Sequence, residues 1–171
     1  MTIEKYIADI ENFPKLGVLF KDLSPLLANP DAFGAAIEKM AYNCSKNEFD
    51  SIGAFDARGF LFGTVLAREL NKPMFMIRKP GKLGYDTVKS NYDLEYGSNT
   101  IEIKSESVKP GDRVILVDDV LATGGTMKAG ADLVERLGGK VASCQLLIEL
   151  ESLKGKEKLN GYNVDSVLRY K

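Results

Sequence analysis

Histidine does not occur in the 171 residues, nor does tryptophan. Without histidine there is no Ser-His-Asp or Cys-His machinery, no imidazole metal cage and no usual general base at neutral pH. Any chemistry must come from carboxylates, backbone amides, lysines, arginines and tyrosines. Cysteine is nearly as scarce. Cys44 and Cys144 are the only two, both in apolar surroundings. Two buried free thiols are expected, with a disulfide as the alternative. An excess of positive charge is missing too: 23 basic residues against 24 acidic ones leave a formal net charge of −1. No global field recruits nucleic acid, and an anion must be held by local geometry. No apolar run is long enough to span a bilayer, and the opening "MTIEKYIADIENF" carries acids and no signal-peptide core. A cytoplasmic chain without a membrane partner is expected.

What is present is an alternation of helix and strand. At 44% hydrophobic and 27% charged residues, one domain over 1–171 with a real core is expected. Residues 2–10 read as a short helix. "NPDAFGAAIEKMAYNC" sets Phe33, Ile37, Met40 and Cys44 at helical spacing. Residues 50–55, 73–79, 100–104 and 113–118 read as strands, and 58–70 and about 126–137 as helices. Between them, residues 80–99 are rich in Gly, Lys, Tyr and Asn and read as one long loop. The order implies an α/β fold around a mostly parallel sheet flanked by helices. In such sheets ligands bind beyond the carboxyl ends of the strands. Two turns fall there, at 56–59 and 118–126.

The second turn lies in "VILVDDVLATGGT" (114–126). A buried-looking strand ends in Asp118 and Asp119, then small residues lead into a helix. Ala122, Thr123, Gly124, Gly125 and Thr126 keep their side chains short, so backbone N–H groups can wrap a phosphate at a helix N-terminus. A glycine turn with Thr126 as N-cap explains Gly125 and Thr126 as well. That plainer reading does not explain two acids beside an anion site. A ribose 5-phosphate does: the loop holds the phosphate while the carboxylates accept hydrogen bonds from the 2'- and 3'-hydroxyls. Solvated loop acids are the alternative. Neither G-x-x-x-x-G-K-[ST] nor G-x-G-x-x-G occurs, which removes the main support for ATPase and dinucleotide readings.

This stretch resembles the phosphoribosyl-pyrophosphate motif of the type I phosphoribosyltransferases. "FPKLGVLFKDLSPLL" (13–27), "DARGFLFG" (56–63), "IRKPGKL" (77–83), "YDLEYG" (92–97) and "ESLKGKEKL" (151–159) resemble, in the same order, the members of that family that act on adenine. The resemblance implies the type I phosphoribosyltransferase fold, with an N-terminal hood over 1–30 that reads the base and a flexible lid over 80–99. It implies transfer of 5-phosphoribosyl from its α-diphosphate to N9 of adenine, giving AMP and diphosphate. Mg2+ would arrive with the diphosphate rather than on protein ligands, and the chain would form a homodimer.

Residue by residue, the resemblance assigns the ribose to Asp118 and Asp119 and the 5'-phosphate to residues 122–126. The leaving diphosphate goes to Asp56, Ala57, Arg58 and Gly59, where the family carries a cis peptide next to Asp56, with Lys79 and Lys82 adding charge. From the residues alone, Asp56 reads equally as a helix N-cap, Arg58 as a solvent-facing first-turn residue and the lysines as surface. Glu95 matches the family's acid–base carboxylate for the purine proton, and Arg58 lies at its active site. Tyr96 would pack on the substrates from the lid. Leu19, Phe20 and Lys21 would meet adenine, Phe20 by stacking, with Val120 over the other face. Phe20 as ordinary core and Glu95 as an exposed lid acid are the plain alternatives. Leu16 and Gly84 stand where the family often has proline, and Lys21 where it often has arginine.

Two other functions share these residues. One is transfer to another base, such as xanthine, hypoxanthine or orotate. The other is a non-catalytic purine-sensing regulator on the same fold, although the chain lacks the basic face such a protein usually carries.

Overall fold

Strand and helix alternate through most of the computed structural model, which describes residues 2–93 and 98–171. The chain divides into two compact units, Met1–Lys39 and Met40–Lys171. None of the described helices is long and apolar enough to cross a membrane.

In the first unit, a 3-10 turn at Glu4–Tyr6 leads into β1 (Ala8–Glu11), which pairs antiparallel with β2 (Leu19–Asp22). The expected helix over 2–10 is therefore corrected. Ile3, Ile7 and Ile10 have helical spacing, but the backbone of 8–11 finds its partners on residues 19–22 instead. The connection holds a cis Phe13–Pro14 bond. The rings of Phe13 and Phe20 meet edge-to-face with centroids 5.1 Å apart. Lys21 is buried, with its ammonium 2.6 Å from Asp9 Oδ1. After α1 (Ser24–Leu27), α2 (Pro30–Ser45) starts as its sequence dictates: Pro30 opens the first turn, and Asn29 Oδ1 accepts the Ala32 N–H at 2.9 Å.

The second unit is built on β3 (Ser51–Phe55), β4 (Met74–Ile77), β7 (Arg113–Leu121), β8 (Lys140–Leu150) and β9 (Val164–Tyr170). They form one parallel sheet in the order β4-β3-β7-β8-β9. Helix α3 (Gly59–Glu69) connects β3 to β4, and α4 (Gly125–Arg136) connects β7 to β8. Val114, Ile115, Leu116 and Val117 are fully buried, as a central strand covered on both faces requires. Val114 and Leu116 join the core formed by Phe55, Ile77, Leu133 and Val134. Ile115 and Val117, one residue out of phase, face the other side. From β3 the chain runs one way to β4, and β7 lies on the other side of β3. The ends of β3 and β7 therefore flank a topological switch point, where ligands of open α/β sheets bind.

The long loop expected over 80–99 is also corrected. Residues 87–93 form β5 (Thr87–Asp93), paired antiparallel with β6 (Ser98–Lys104). Its polar composition conceals a two-residue alternation. Val88 and Tyr92 pack on the core and Ser90 is buried, while Lys89 and Asn91 face out. Among the described residues of 80–99, irregular structure is confined to 80–86.

Candidate active site

Strand β7 does not stop at Asp118, as its sequence suggested, but continues to Leu121. Asp118 pairs with Leu146 of β8, and Val120 with Ile148. The acid pair therefore sits within a strand rather than in a loop. The two carboxylates stay within reach of one another, Asp118 Oδ1 lying beside Gly59 and the Asp119 side chain acting on Asp118. Asp118 faces a hollow of about 80 Å³, lined also by Val120, Ala122, Thr123, Gly124, Gly125 and Thr126. Asp119 meets the Arg58 guanidinium, with Nε 2.6 Å from its Oδ2. That oxygen is buried and otherwise has no hydrogen-bond partner among the described residues.

Burial, and after it the neighbouring charge of Asp119, push the Asp118 carboxyl well above the ordinary carboxylate range. The Asp119 N–H, donated to Asp118 Oδ1 at 2.9 Å, and the Arg58 cation pull the other way. The site holds two acids where one is already costly. A ligand offering hydroxyl donors would relieve that cost.

The turn after β7 is shaped by close backbone approach. Gly124 has φ +79° and heads α4 with no side chain capping the helix. Thr126 is thus not the N-cap, and the plain capping reading falls. The first intrahelical bond runs from the Lys128 N–H to the Gly124 carbonyl at 3.0 Å. The amides of Gly125, Thr126 and Met127 precede it and have no carbonyl within the helix to bond, so they are donors aimed at the hollow's end of α4. Gly155, which no reading of the residues singled out, backs this turn. A Cβ on Gly124 would sit 2.3 Å from the Gly155 carbonyl oxygen, and one on Gly155 2.3 Å from the Ala122 carbonyl oxygen. Only glycine permits that spacing. Its signal was the small residue in "LKGKEKL", legible only once the 3-10 segment Gly155–Leu159 is seen against the turn.

At the end of the adjacent strand β3, the Asp56–Ala57 peptide is cis, as the resemblance implied. Asp56 does not cap α3. It accepts a hydrogen bond from Arg78 Nε at 2.9 Å, and Arg58 occupies the N-cap position. The first residue of α3, Gly59, lies against β7: a Cβ there would approach Asp118 Oδ1 to 2.9 Å and the Val117 carbonyl to 3.0 Å. Residues 56–59 and 118–126 are thus brought together, with Arg58 joining them. Lys79 and Lys82 are exposed. Arg78 is a further cation at the 56–59 turn, reaching it through Asp56 and lying over the Phe60 ring. Arg78 was missed because the quoted "IRKPGKL" offers three cations with nothing to rank them. Glu95 and Tyr96 lie outside the described residues. Leu19, Phe20 and Lys21 lie on β2 of the first unit.

Both cysteines are free and buried, as expected. Burial pushes the Cys44 and Cys144 thiols up to about 12, with the Asp165 charge adding to the effect at Cys44.

The family model described as phosphoribosyl transferase domain matches residues 25–168. An adenine phosphoribosyltransferase of Halothermothrix orenii is 50% identical over 169 residues, covering 99% of each chain. The crystal structure of adenine phosphoribosyltransferase from Thermoanaerobacter pseudethanolicus superposes with a TM-score of 0.96 at 46% identity, covering 99% of this chain and 100% of that one. The Saccharomyces cerevisiae adenine phosphoribosyltransferase, solved in complex with an imino-altritol bisphosphate and adenine, gives a TM-score of 0.91 at 36% identity, covering 97% of this chain and 96% of that one.

Proposed function

The chain belongs to the phosphoribosyltransferase family, and we propose that it transfers a 5-phosphoribosyl group from phosphoribosyl diphosphate to adenine, releasing AMP and diphosphate. The observation that carries this reading is the adjacent acid pair on β7, running straight into an uncapped helix start. An anion site next to a carboxylate suits a ligand whose phosphate and hydroxyls are held apart by a sugar.

In this reading the amides of 123–126 hold the 5'-phosphate, with the α4 dipole contributing about 0.3–1 kcal/mol per charge. Asp118 accepts hydrogen bonds from the ribose diol. Asp119 supports it from beside Arg58. The 56–59 turn and Arg78 receive the diphosphate. The bond from C1' to the diphosphate oxygen breaks with its electron pair leaving on the diphosphate, and the N9 lone pair of adenine forms the new bond. Glu95 takes the purine proton, a role usually worth about 10²–10⁴ in rate. Leu19, Phe20, Lys21 and Val120 are the proposed base contacts, and Tyr96 and the lysines 79 and 82 serve the closed lid.

Magnesium enters with the donor. Mg2+ takes hard oxygen ligands and is usually held largely by substrate phosphates, so the diphosphate would supply its ligands while Asp56 stays paired with Arg78. The ion would neutralise charge on the leaving group. The same reading places a homodimer in the cytoplasm, which sedimentation and cell fractionation test.

The deciding experiment incubates purified protein with the donor, magnesium and adenine, hypoxanthine, xanthine or orotate in turn. AMP formation from adenine alone is expected. Turnover of another base without adenine would refute the assignment, and donor binding without any turnover would favour a sensor.

A further inference from the structure

Glu102 is a charged residue with 1% of its surface exposed, between Ile101 and Ile103, which are themselves buried. Burying a carboxylate is costly, and an apolar side chain of similar size would fill the space at less cost. Its partners indicate what the charge is for. Oε1 accepts the Gly81 N–H at 2.9 Å, and Oε2 accepts the Thr87 hydroxyl at 3.0 Å, with Lys89 Nζ 3.9 Å away. Gly81 and Thr87 stand at the two ends of the irregular segment 80–86, so one carboxylate clamps both ends. The backbone of Glu102 also exchanges two hydrogen bonds with Arg78, the Arg78 N–H donating at 3.0 Å and the Glu102 N–H at 2.7 Å. Arg78 in turn donates through Nε to Asp56 of the 56–59 turn.

We infer that Glu102 is a positioning residue for the phosphoribosyl donor: its carboxylate fixes the root of the 80–86 segment, whose Lys82 carbonyl accepts a hydrogen bond from Arg78 Nη1 at 3.4 Å, and so steadies a cation beside the turn that receives the diphosphate. The inference rests on the donor reading above. Glu102 touches no substrate. It determines where Arg78 and Lys82 stand when the diphosphate arrives, and two of its hydrogen bonds are made to segment 80–87 rather than to the core.

The test compares Glu102→Leu, Glu102→Gln and Thr87→Val, with wild-type AMP formation and calorimetric binding of magnesium phosphoribosyl diphosphate as controls. Leu keeps the volume and removes both acceptors. A rise of about tenfold or more in donor KM and Kd is expected, with adenine KM within about twofold. Gln keeps an acceptor for Gly81, and the Thr87 hydroxyl can turn to accept, so donor KM should return to within about threefold of wild type. Thr87→Val should fall between the two. A folded Leu variant with unchanged donor affinity would overturn the inference. So would equal rises in both KM values, or a Gln variant no better than Leu. Should the Leu variant not fold, amide exchange in the wild type still decides: the Gly81 N–H must be protected relative to Lys82, and free exchange there overturns the clamp. Failure of the functional reading shows separately, as a wild type that binds donor but makes no AMP.

Discussion

Arg58 Nε stands 2.6 Å from Asp119 Oδ2, joining the turn after β3 to the strand before the phosphate turn. The contact links the turn after β3 to strand β7, 61 positions apart in sequence and side by side at the switch point of the sheet. Its energetic weight lies mostly on the acid, since Asp119 is buried while about a third of the arginine is exposed. Removing Arg58 leaves two neighbouring carboxylates with no cation between them. Arg58→Ala should cost about 1–2 kcal/mol after allowance for solvent screening, a fall in Tm of roughly 2–8 °C. Adding Asp119→Asn should restore part of that loss, because the uncompensated charge goes with it. Thermal unfolding of the two single variants and the double variant checks the coupling. Strict additivity would mean that the pair carries none.

The second prediction concerns pH. Burial raises the Asp118 carboxyl above its ordinary value of 3.8, so the folded chain holds a proton where the unfolded chain has released it. Stability supplied by this group therefore falls as pH rises from about 3.8 through the raised value, and the cost persists above it. Asp118→Asn removes that cost. The Asn oxygen can still accept the Asp119 N–H that Asp118 Oδ1 accepts now. The variant should melt above wild type at pH 7–8, with the gap closing toward pH 4. Donor affinity should move the opposite way, by about tenfold to a hundredfold, since a charged acceptor for the ribose diol is lost. Denaturation followed across pH, together with calorimetry, tests both signs. A less stable variant at neutral pH would contradict the linkage.

The α/β class, the strand at 51–55, the helices beginning at Pro30 and Gly59 and the turn at 122–126 were legible because each rests on local signals: a buried apolar run, an Asn-Pro start, a cluster of small residues. What stayed hidden depends on partners distant in sequence. The β1–β2 hairpin reads as a helix until residues 19–22 are seen to take its hydrogen bonds. β5 reads as loop because its inward residues, Val88, Ser90 and Tyr92, are diluted by Lys and Asn. At the site, the composition of "VILVDDVLATGGT" revealed the acid pair, but not that Arg58 pairs with Asp119. Gly155 and Glu102 carry no motif of their own. Their meaning comes from what lies within about 3 Å of them.

Thiol chemistry supplies a third prediction. With both thiols raised to about 12 by burial, the thiolate fraction at pH 8 is negligible. Native protein should resist iodoacetamide at both Cys44 and Cys144 over hours, while unfolded protein labels at both. Mass spectrometry of each peptide reads the result. Activity should be insensitive to oxidant for the same reason. Rapid native labelling at either cysteine would show that its segment opens.

The last prediction isolates the close approach behind the phosphate turn. A methyl group at Gly155 would meet the Ala122 carbonyl oxygen at 2.3 Å, far inside contact distance, and the Gly124 amide at 3.1 Å. Neither obstacle is a flexible side chain, so the backbone of the turn must move. Gly155→Ala should therefore cost about 1–3 kcal/mol of stability, as overpacking does elsewhere. It should also weaken ribose 5-phosphate binding by at least about tenfold, because displacing the turn misaligns the amides proposed to hold the phosphate. Gly34 is the matched control. It lies inside α2, where an added Cβ meets nothing within 4 Å. Gly34→Ala should stabilise the chain by about 0.4–1 kcal/mol and leave phosphate binding unchanged. Should Gly155→Ala bind ribose 5-phosphate like wild type, the turn does not depend on that glycine pair for its shape, and the anion site must be held by α4 and β7 alone.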